Sequence, residues 1–348
     1  MSEPPLSEPS ATAPSEHPFT RIRTTTSTVE HQLGALRLVH DRRSGRPAPL
    51  SARIHRAALA AQDRGGVLSR TELTGLGLSR NVVAAQVAAG RWRLHGRWTV
   101  ALHTGELNTT AQHWRALWES GIGVAVVDGT SALIAAGLTG WADREIHVSA
   151  LHQRRVPSVP GVRAHLVRLR LPGEVMPAGL PRTRPEIAAV RAAHWAVSDR
   201  QAATVLAMVI QQRLTTSTRL QHASHHVGGR TRRAFITQVV QDITNGAHSL
   251  GELDFAAMCR KHKVPPPERQ VLRRTSRGRV YLDARWRNGL VVEIDGSGHR
   301  SGLALTDDNL RQNELVLGHD RVLRFDLLAL RVRPQEVMAQ VARGVALP

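Results

Sequence analysis

Cysteine is almost missing from this chain. The single residue, Cys259, excludes an internal disulfide and a cysteine-based zinc site, and reads as a buried helix residue. No apolar run approaches the ~20 residues needed to span a bilayer. The Ser/Pro/Glu-rich start lacks the apolar core of a signal peptide, so a cytoplasmic protein is expected. There is no Gly-rich loop of the kind that cradles phosphates and no Ser-His-Asp arrangement. Acidic residues are also short. Against 47 Lys+Arg there are 28 Asp+Glu, a formal net charge of +19 and a pI near 11.7. Such an excess favours a polyanionic partner, because each phosphate contact releases counterions. Lys is nearly absent, so Arg carries the charge; compositional drift toward Arg gives the same excess, and charge alone argues only partly for nucleic acid.

With 348 residues the chain is long enough for two or three domains. Residues 1–50 are rich in Ser, Thr, Pro and Arg without apolar periodicity. That composition predicts a disordered basic arm, whose Arg42-Arg43-Ser44-Gly45-Arg46 would touch phosphates. A misassigned start codon is the rival account, since the first packable segment begins near Ile54.

Residues 51–103 read as a winged helix-turn-helix. Ile54 to Gln62 predicts a first helix, Gly65-Gly66 a turn, and Ser69 with Glu72 a capping box for a short second helix closed by Gly75 and Gly77. Ser79 then caps Arg80 to Ala89, a recognition helix with Val83 and Val87 inward and Arg80, Asn81 and Gln86 left for DNA. Arg91 to Leu94 and Arg97 to Val100 flank His95-Gly96 as a wing, offering Arg91, Arg93 and Arg97 to the backbone, with the tryptophans as its packing face. The residues Gly65 to Leu73, Gly77-Leu78-Ser79-Arg80 and Gly90-Arg91-Trp92 resemble the N-terminal domain of AbiEi-type antitoxins, the DNA-binding partners of type IV toxin-antitoxin systems. The resemblance implies DNA contact, and less directly a cognate toxin as partner.

Residues 111–245 predict a mixed α/β and helical connector. Helices are expected around His113 to Trp118, over Ser131 to Ala136, from a Thr183 cap to Trp195, over Gln201 to Leu214 after Ser198, and over Thr231 to Ile243. Short strands are expected over Gly123 to Val127 and Glu145 to Val148. His222, His225 and His226 lack a carboxylate or Cys at ligand spacing and read as a solvated helix end. Glu186 and Asp199 read as helix N-terminal charges.

The most informative stretch is Arg279 to His299. Arg279 to Leu282 and Leu290 to Val292 are β-prone, and Arg287-Asn288-Gly289 between them is a turn signal. A two-residue loop would pair Asp283 with Ile294. A three-residue loop with Gly289 in the left-handed conformation pairs Asp283 with Glu293. Only the second register, or a bulge, gathers carboxylates, with Asp295 on the face of Glu293. The apolar run Leu290 to Ile294 predicts a strand buried on both sides, where unpartnered carboxylates are costly and a hard cation would offset their repulsion.

Asp283 and Glu293 match the two acidic positions of the PD-(D/E)xK nuclease superfamily. Glu293-Ile294-Asp295-Gly296 followed by His299 resembles most its branch of very-short-patch-repair-like endonucleases, with Asp295 where the superfamily has Lys. The resemblance extends over Ser249 to Glu252, Pro265-Pro266-Pro267, Asp308, Arg311, Asn313 and Leu315, and the strand Val322 to Phe325. It implies a restriction-endonuclease-like domain over residues 247–346, catalytic roles for Asp283, Glu293, Asp295, His299 and Glu252, and Mg²⁺ or Mn²⁺ held by Asp283, Glu293 and Asp295. Arg300 and Arg311 would offset phosphate charge, with Asp308 as a further candidate. Glu252 equally completes a capping box with Ser249, Asp308 a helix start after Thr306, and His299 an ordinary surface histidine. The whole chain is thus expected to be an α+β multidomain protein that binds DNA and cleaves it with a metal. The alternative is a non-catalytic DNA-binding regulator or AbiEi-like antitoxin.

Overall fold

A computed structural model describes residues 48–251, 255–274, 280–295, 309, 310, 313 and 322–347. The expected arm with Arg42-Arg43 and Arg46 lies outside the described residues. The fold is α+β, with three small sheets among the described residues.

The first unit begins earlier than Ile54. Helix α1 (Leu50–Ala61) buries Ala57 and Ala61, and a 3₁₀ turn after it ends on Gly65 in the left-handed conformation. Strand β1 (Val67–Ser69) leads into α2 (Arg70–Gly75) through a full capping box: Glu72 N donates to Ser69 Oγ at 3.2 Å and Ser69 N donates to Glu72 Oε2 at 2.9 Å. Ser79 caps α3 (Arg80–Ala88), and β2 (Arg93–Leu94) and β3 (Thr99–Ala101) complete a sheet of order β1-β3-β2. Leu68, Leu73, Leu78, Val83, Trp92 and Val100 fill the space between helices and sheet.

The middle body packs α4 (Thr109–Glu119), capped by Asn108, against a sheet of β4 (Ala125–Val127), β5 (Ile146–Leu151) and β6 (Val162–Val167). Helix α5 (Gly129–Ala135) joins the first two strands, and β6, not expected from the sequence, runs parallel to β5. Then come α6 (Pro185–Trp195), α7 (Asp199–Gln211) capped by Ser198, α8 (Ser217–His226) and α9 (Arg233–Gly251). Thr183 does not cap α6. The helix starts with Pro185, whose fixed φ and missing N–H suit the first helical position, while Thr183 is buried with its hydroxyl unpartnered. The expected exposed histidines end α8, where His226 Nδ1 donates to the His222 carbonyl at 2.8 Å.

A buried ion network lies inside this body. Arg191 on α6 donates to Asp128 at 2.8 Å and to both oxygens of Glu174 at 3.0 Å, and all three side chains are at most 6% exposed. Arg170 adds a 2.7 Å bond to Glu174 and another of 2.7 Å to the Ser149 carbonyl. The hydroxyl of Ser149 donates to Asp128, and the Leu171 and Gly129 amides each donate to a carboxylate at 2.7 Å. Two carboxylates thus meet two guanidiniums with nearly every lone pair engaged, which is what makes buried charge tolerable.

The last unit runs α10 (Phe255–Lys261), β7 (Arg269–Arg274), β8 (Val280–Arg285), β9 (Val291–Asp295), β10 (Val322–Asp326), α11 (Leu327–Val332) and α12 (Pro334–Ala346). The sheet order is β10-β9-β8-β7, antiparallel except for the parallel pair β9-β10. One expectation fails here. Strand β9 is buried on one side only: Val292 and Ile294 are in the core, whereas Val291, Glu293 and Asp295 are half-buried. Its apolar run reflects Leu290 at the turn and Val291 at the start of the strand. Cys259 is fully buried on α10, which pushes its thiol up to about 11.

Removing Arg191 strands two buried carboxylates. Arg191→Ala is expected to lower stability by about 3–5 kcal/mol, read as a shift of the urea midpoint in the full chain. A loss below about 1 kcal/mol would show that the network is dispensable.

Candidate functional site

The hairpin register settles where the carboxylates fall. Trp286 N donates to the Leu290 carbonyl at 3.0 Å, Gly289 N donates to the Trp286 carbonyl at 3.1 Å, and Gly289 has φ +86°. The loop is therefore the three residues Arg287, Asn288 and Gly289, and Asp283 pairs directly with Glu293. A second cause fixes that loop. Asn288 Nδ2 lies 3.0 Å from the Gly344 carbonyl and 2.9 Å from that of Leu347, at the end of α12, while its Oδ1 accepts from Leu290 N at 3.2 Å. The side chain satisfies carbonyls that a helix end leaves open.

Parallel pairing with β10 extends the same face. Arg324 stands opposite Glu293 and Asp326 opposite Asp295, so one row across the sheet reads Asp283, Glu293, Arg324 and the next reads Tyr281, Asp295, Asp326. Asp283 is 8% exposed. Arg324 Nε donates to Glu293 Oε2 at 3.1 Å, and Asn313 holds the Arg324 backbone with bonds of 2.8 and 3.0 Å. Asp326 is fully buried and caps α11 by accepting from Ala329 N at 2.8 Å. Glu252, His299, Arg300, Asp308 and Arg311 lie outside the described residues.

No three His, Cys, Asp or Glu side chains converge on a metal position among the described residues. Mg²⁺ does not require that. It keeps several waters and is commonly held through one or two carboxylates plus substrate phosphate, and the opposed Asp283 and Glu293 present hard oxygen donors of that type. Their residues fit such an ion once Arg324 gives up the Glu293 oxygen it holds.

On the first unit, Arg80 and Asn81 are exposed on α3. Gln86 is not available. It is 8% exposed and its Oε1 accepts from Arg91 Nε at 2.6 Å, because position 86 follows the inward Val83 by one helical turn and turns inward with it. Gln86 and Arg91 therefore join α3 to the wing. Arg93 makes only a loose, exposed ion pair with Glu106 at 3.6 Å, and Arg97 is exposed above the Trp98 ring at 5.1 Å.

The wing loop is longer than His95-Gly96, since Leu94 pairs with Val100. What fills it is Glu119, at the end of α4. Its carboxylate accepts from the Arg97, Trp98 and Thr99 amides, each at 2.9 Å, and from the Thr99 hydroxyl at 2.7 Å. Gly96 has φ +148°, and a Cβ there would sit 2.4 Å from the Glu119 carboxyl carbon. Sequence reading gave Glu119 no role, because a lone Glu at a helix end carries no sign of a loop twenty residues earlier.

Four histidines of the middle body, His113, His147, His165 and His194, have their pKa lowered by burial. His147 Nδ1 and His165 Nε2 are 2.9 Å apart and share one hydrogen bond, and His165 stacks on Trp195 at 3.6 Å. Burial pushes His165 down to about 3 and His113 down to about 4. A histidine whose folded pKa lies below its unfolded value of 6.5 gains protons on unfolding in acid, so stability is full above pH 6.5 and falls as pH drops toward 4. For His113, only 3% exposed, the loss between pH 7 and pH 4 amounts to at most about 3 kcal/mol. His113→Leu is expected to flatten urea midpoints across that range. An unchanged pH slope would assign the acid sensitivity to other groups.

No protein-family model matches the chain, and no curated protein does. Among solved structures, the chain is similar to the crystal structure of the RV2827C protein from Mycobacterium tuberculosis, with 16% identity, a TM-score of 0.37, and coverage of 57% of this chain and 78% of that one. A likeness that low carries no argument about this chain.

Proposed function

We propose that this chain binds DNA through its first unit, read as a winged helix-turn-helix, and hydrolyses a DNA phosphodiester at the Asp283–Glu293 face with Mg²⁺ or Mn²⁺. The observation that carries the reading is the direct pairing of Asp283 with Glu293 on neighbouring strands of one sheet. Asp283 and Glu293 would hold the metal, with Asp295 one step along the same strand face. A divalent cation bound there would lower the pKa of a water and offset phosphate charge. His299 would orient the water, and Arg300 and Arg311 would face the phosphate. Arg80, Asn81, Arg93 and Arg97 would supply binding, mostly through phosphates.

A second reading has its own observation. Arg324 already pairs with Glu293, as in a domain that keeps the nuclease sheet but not the chemistry. The chain would then be a DNA-binding regulator or AbiEi-like antitoxin, with a toxin as partner.

Incubation of the full chain with supercoiled plasmid and Mn²⁺ or Mg²⁺ separates the two. Nicking that disappears in Asp283→Ala, with plasmid retardation unchanged, is the expected result. Retarded but intact plasmid with both proteins would support the regulator. In either case Arg80→Ala should weaken retardation and lower the log–log salt slope by about 1.

A further inference from the structure

A cavity of about 720 Å³ opens between the wing loop, α4 and the segment Trp141–Ile146, away from the Asp283 face. That volume lies within the range of small-molecule sites.

Its charged groups are unevenly engaged. Asp143 already accepts from Trp141 Nε1 at 2.9 Å and from the Thr130 hydroxyl, and Glu145 accepts from Arg163 Nε at 3.0 Å. The donors are less satisfied. Arg144 is exposed and has no acceptor among the described residues. Arg115 uses Nε on the His95 carbonyl at 2.8 Å and Nη1 on the Pro160 carbonyl at 3.4 Å, leaving Nη2. His113 is 3% exposed and has no hydrogen-bond partner among the described residues, and His95 Nε2 is buried without one. Glu106, also on the lining, is 93% exposed and only 3.6 Å from Arg93, whereas Asp143 and Glu145 are engaged and Arg115 and Arg144 keep open N–H groups, which a ligand that brings acceptors would meet. Trp141, half-buried on the same wall, adds a flat apolar surface suited to a ring.

We propose that this cavity binds a small aromatic carboxylate, with its carboxylate toward Arg115 and Arg144 and its ring against Trp141. Buried neutral His113 supplies one further hydrogen bond. The contact of Arg115 with the His95 carbonyl ties the site to the wing. The proposal does not depend on the nuclease reading.

The probe is benzoate, titrated into the full chain at pH 7 by calorimetry and by tryptophan fluorescence. Saturable one-to-one binding is expected, weakened about tenfold or more in the exposed-site variant Arg144→Gln, with benzamide, the same shape without the charge, binding at least about tenfold more weakly. Arg115→Gln should weaken binding likewise, with its fold checked by circular dichroism because Arg115 also holds two loop carbonyls. Absence of saturation by about 10 mM benzoate, equal binding of benzamide, or an unchanged affinity in Arg144→Gln would each overturn the proposal.

Discussion

The packing of the middle body is organised around the charge balance at Arg191. Asp128 and Glu174 are buried at the start of α5 and in the segment before α6, and the Arg191 guanidinium lies between them and bonds to both. Meeting both carboxylates requires α6 to lie across α5, with its alanines set close against its neighbours. Ala188, Ala189, Val190, Ala192 and Ala193 are all in the core that results. That core also takes in Val67 and Ala101 from the first unit and Leu328 from the last. A displacement of α6 would therefore reach both ends of the molecule.

Glu119 does for the wing what Arg191 does for the middle. A loop with three successive amides pointing inward is an anion-binding concavity, and the chain supplies its own anion from α4. The wing is thereby fixed to the middle body and not only to α3. Arg64 makes a parallel link on the other side, pairing with Glu72 while its guanidinium lies 4.6 Å from the centre of the Trp114 ring. Both joints set the orientation of the exposed Arg80, Asn81, Arg93 and Arg97 relative to the rest of the chain.

What was legible in the sequence follows the range of the interactions. Local chemistry was readable: the Ser69–Glu72 capping box and the Ser79 and Ser198 caps depend on residues within a few positions of each other, whereas the Asn288-Gly289 turn was readable but its two- or three-residue length was not. Glu186 and Asp199, read as helix N-terminal charges, do lie in the first turns of α6 and α7. Side-chain direction on a short helix was harder. Gln86 looked like a surface residue by type, but its position one turn after Val83 carried it inward. Long-range pairing was invisible. Arg191 sits in an Ala-rich helix with its acidic partners 63 and 17 residues away, and Arg324 gains its meaning only from the parallel register of β10 on β9. Glu119 is of the same kind.

That register also constrains any chemistry at the candidate site. The row Asp283, Glu293, Arg324 carries one negative charge in excess, so in the metal-free protein Arg324 offsets part of the repulsion between the two carboxylates. A divalent cation held there would reverse the sign of the row, and one phosphodiester would then bring it to neutrality. Arg324, displaced from Glu293 but still anchored through its backbone to Asn313, would be left with an incoming phosphate as its nearest new anion. Its side chain is 60% exposed, free to move without disturbing the core. The same arginine that competes with a metal for Glu293 would, on the nuclease reading, become a phosphate contact once that metal and a strand of DNA are both present.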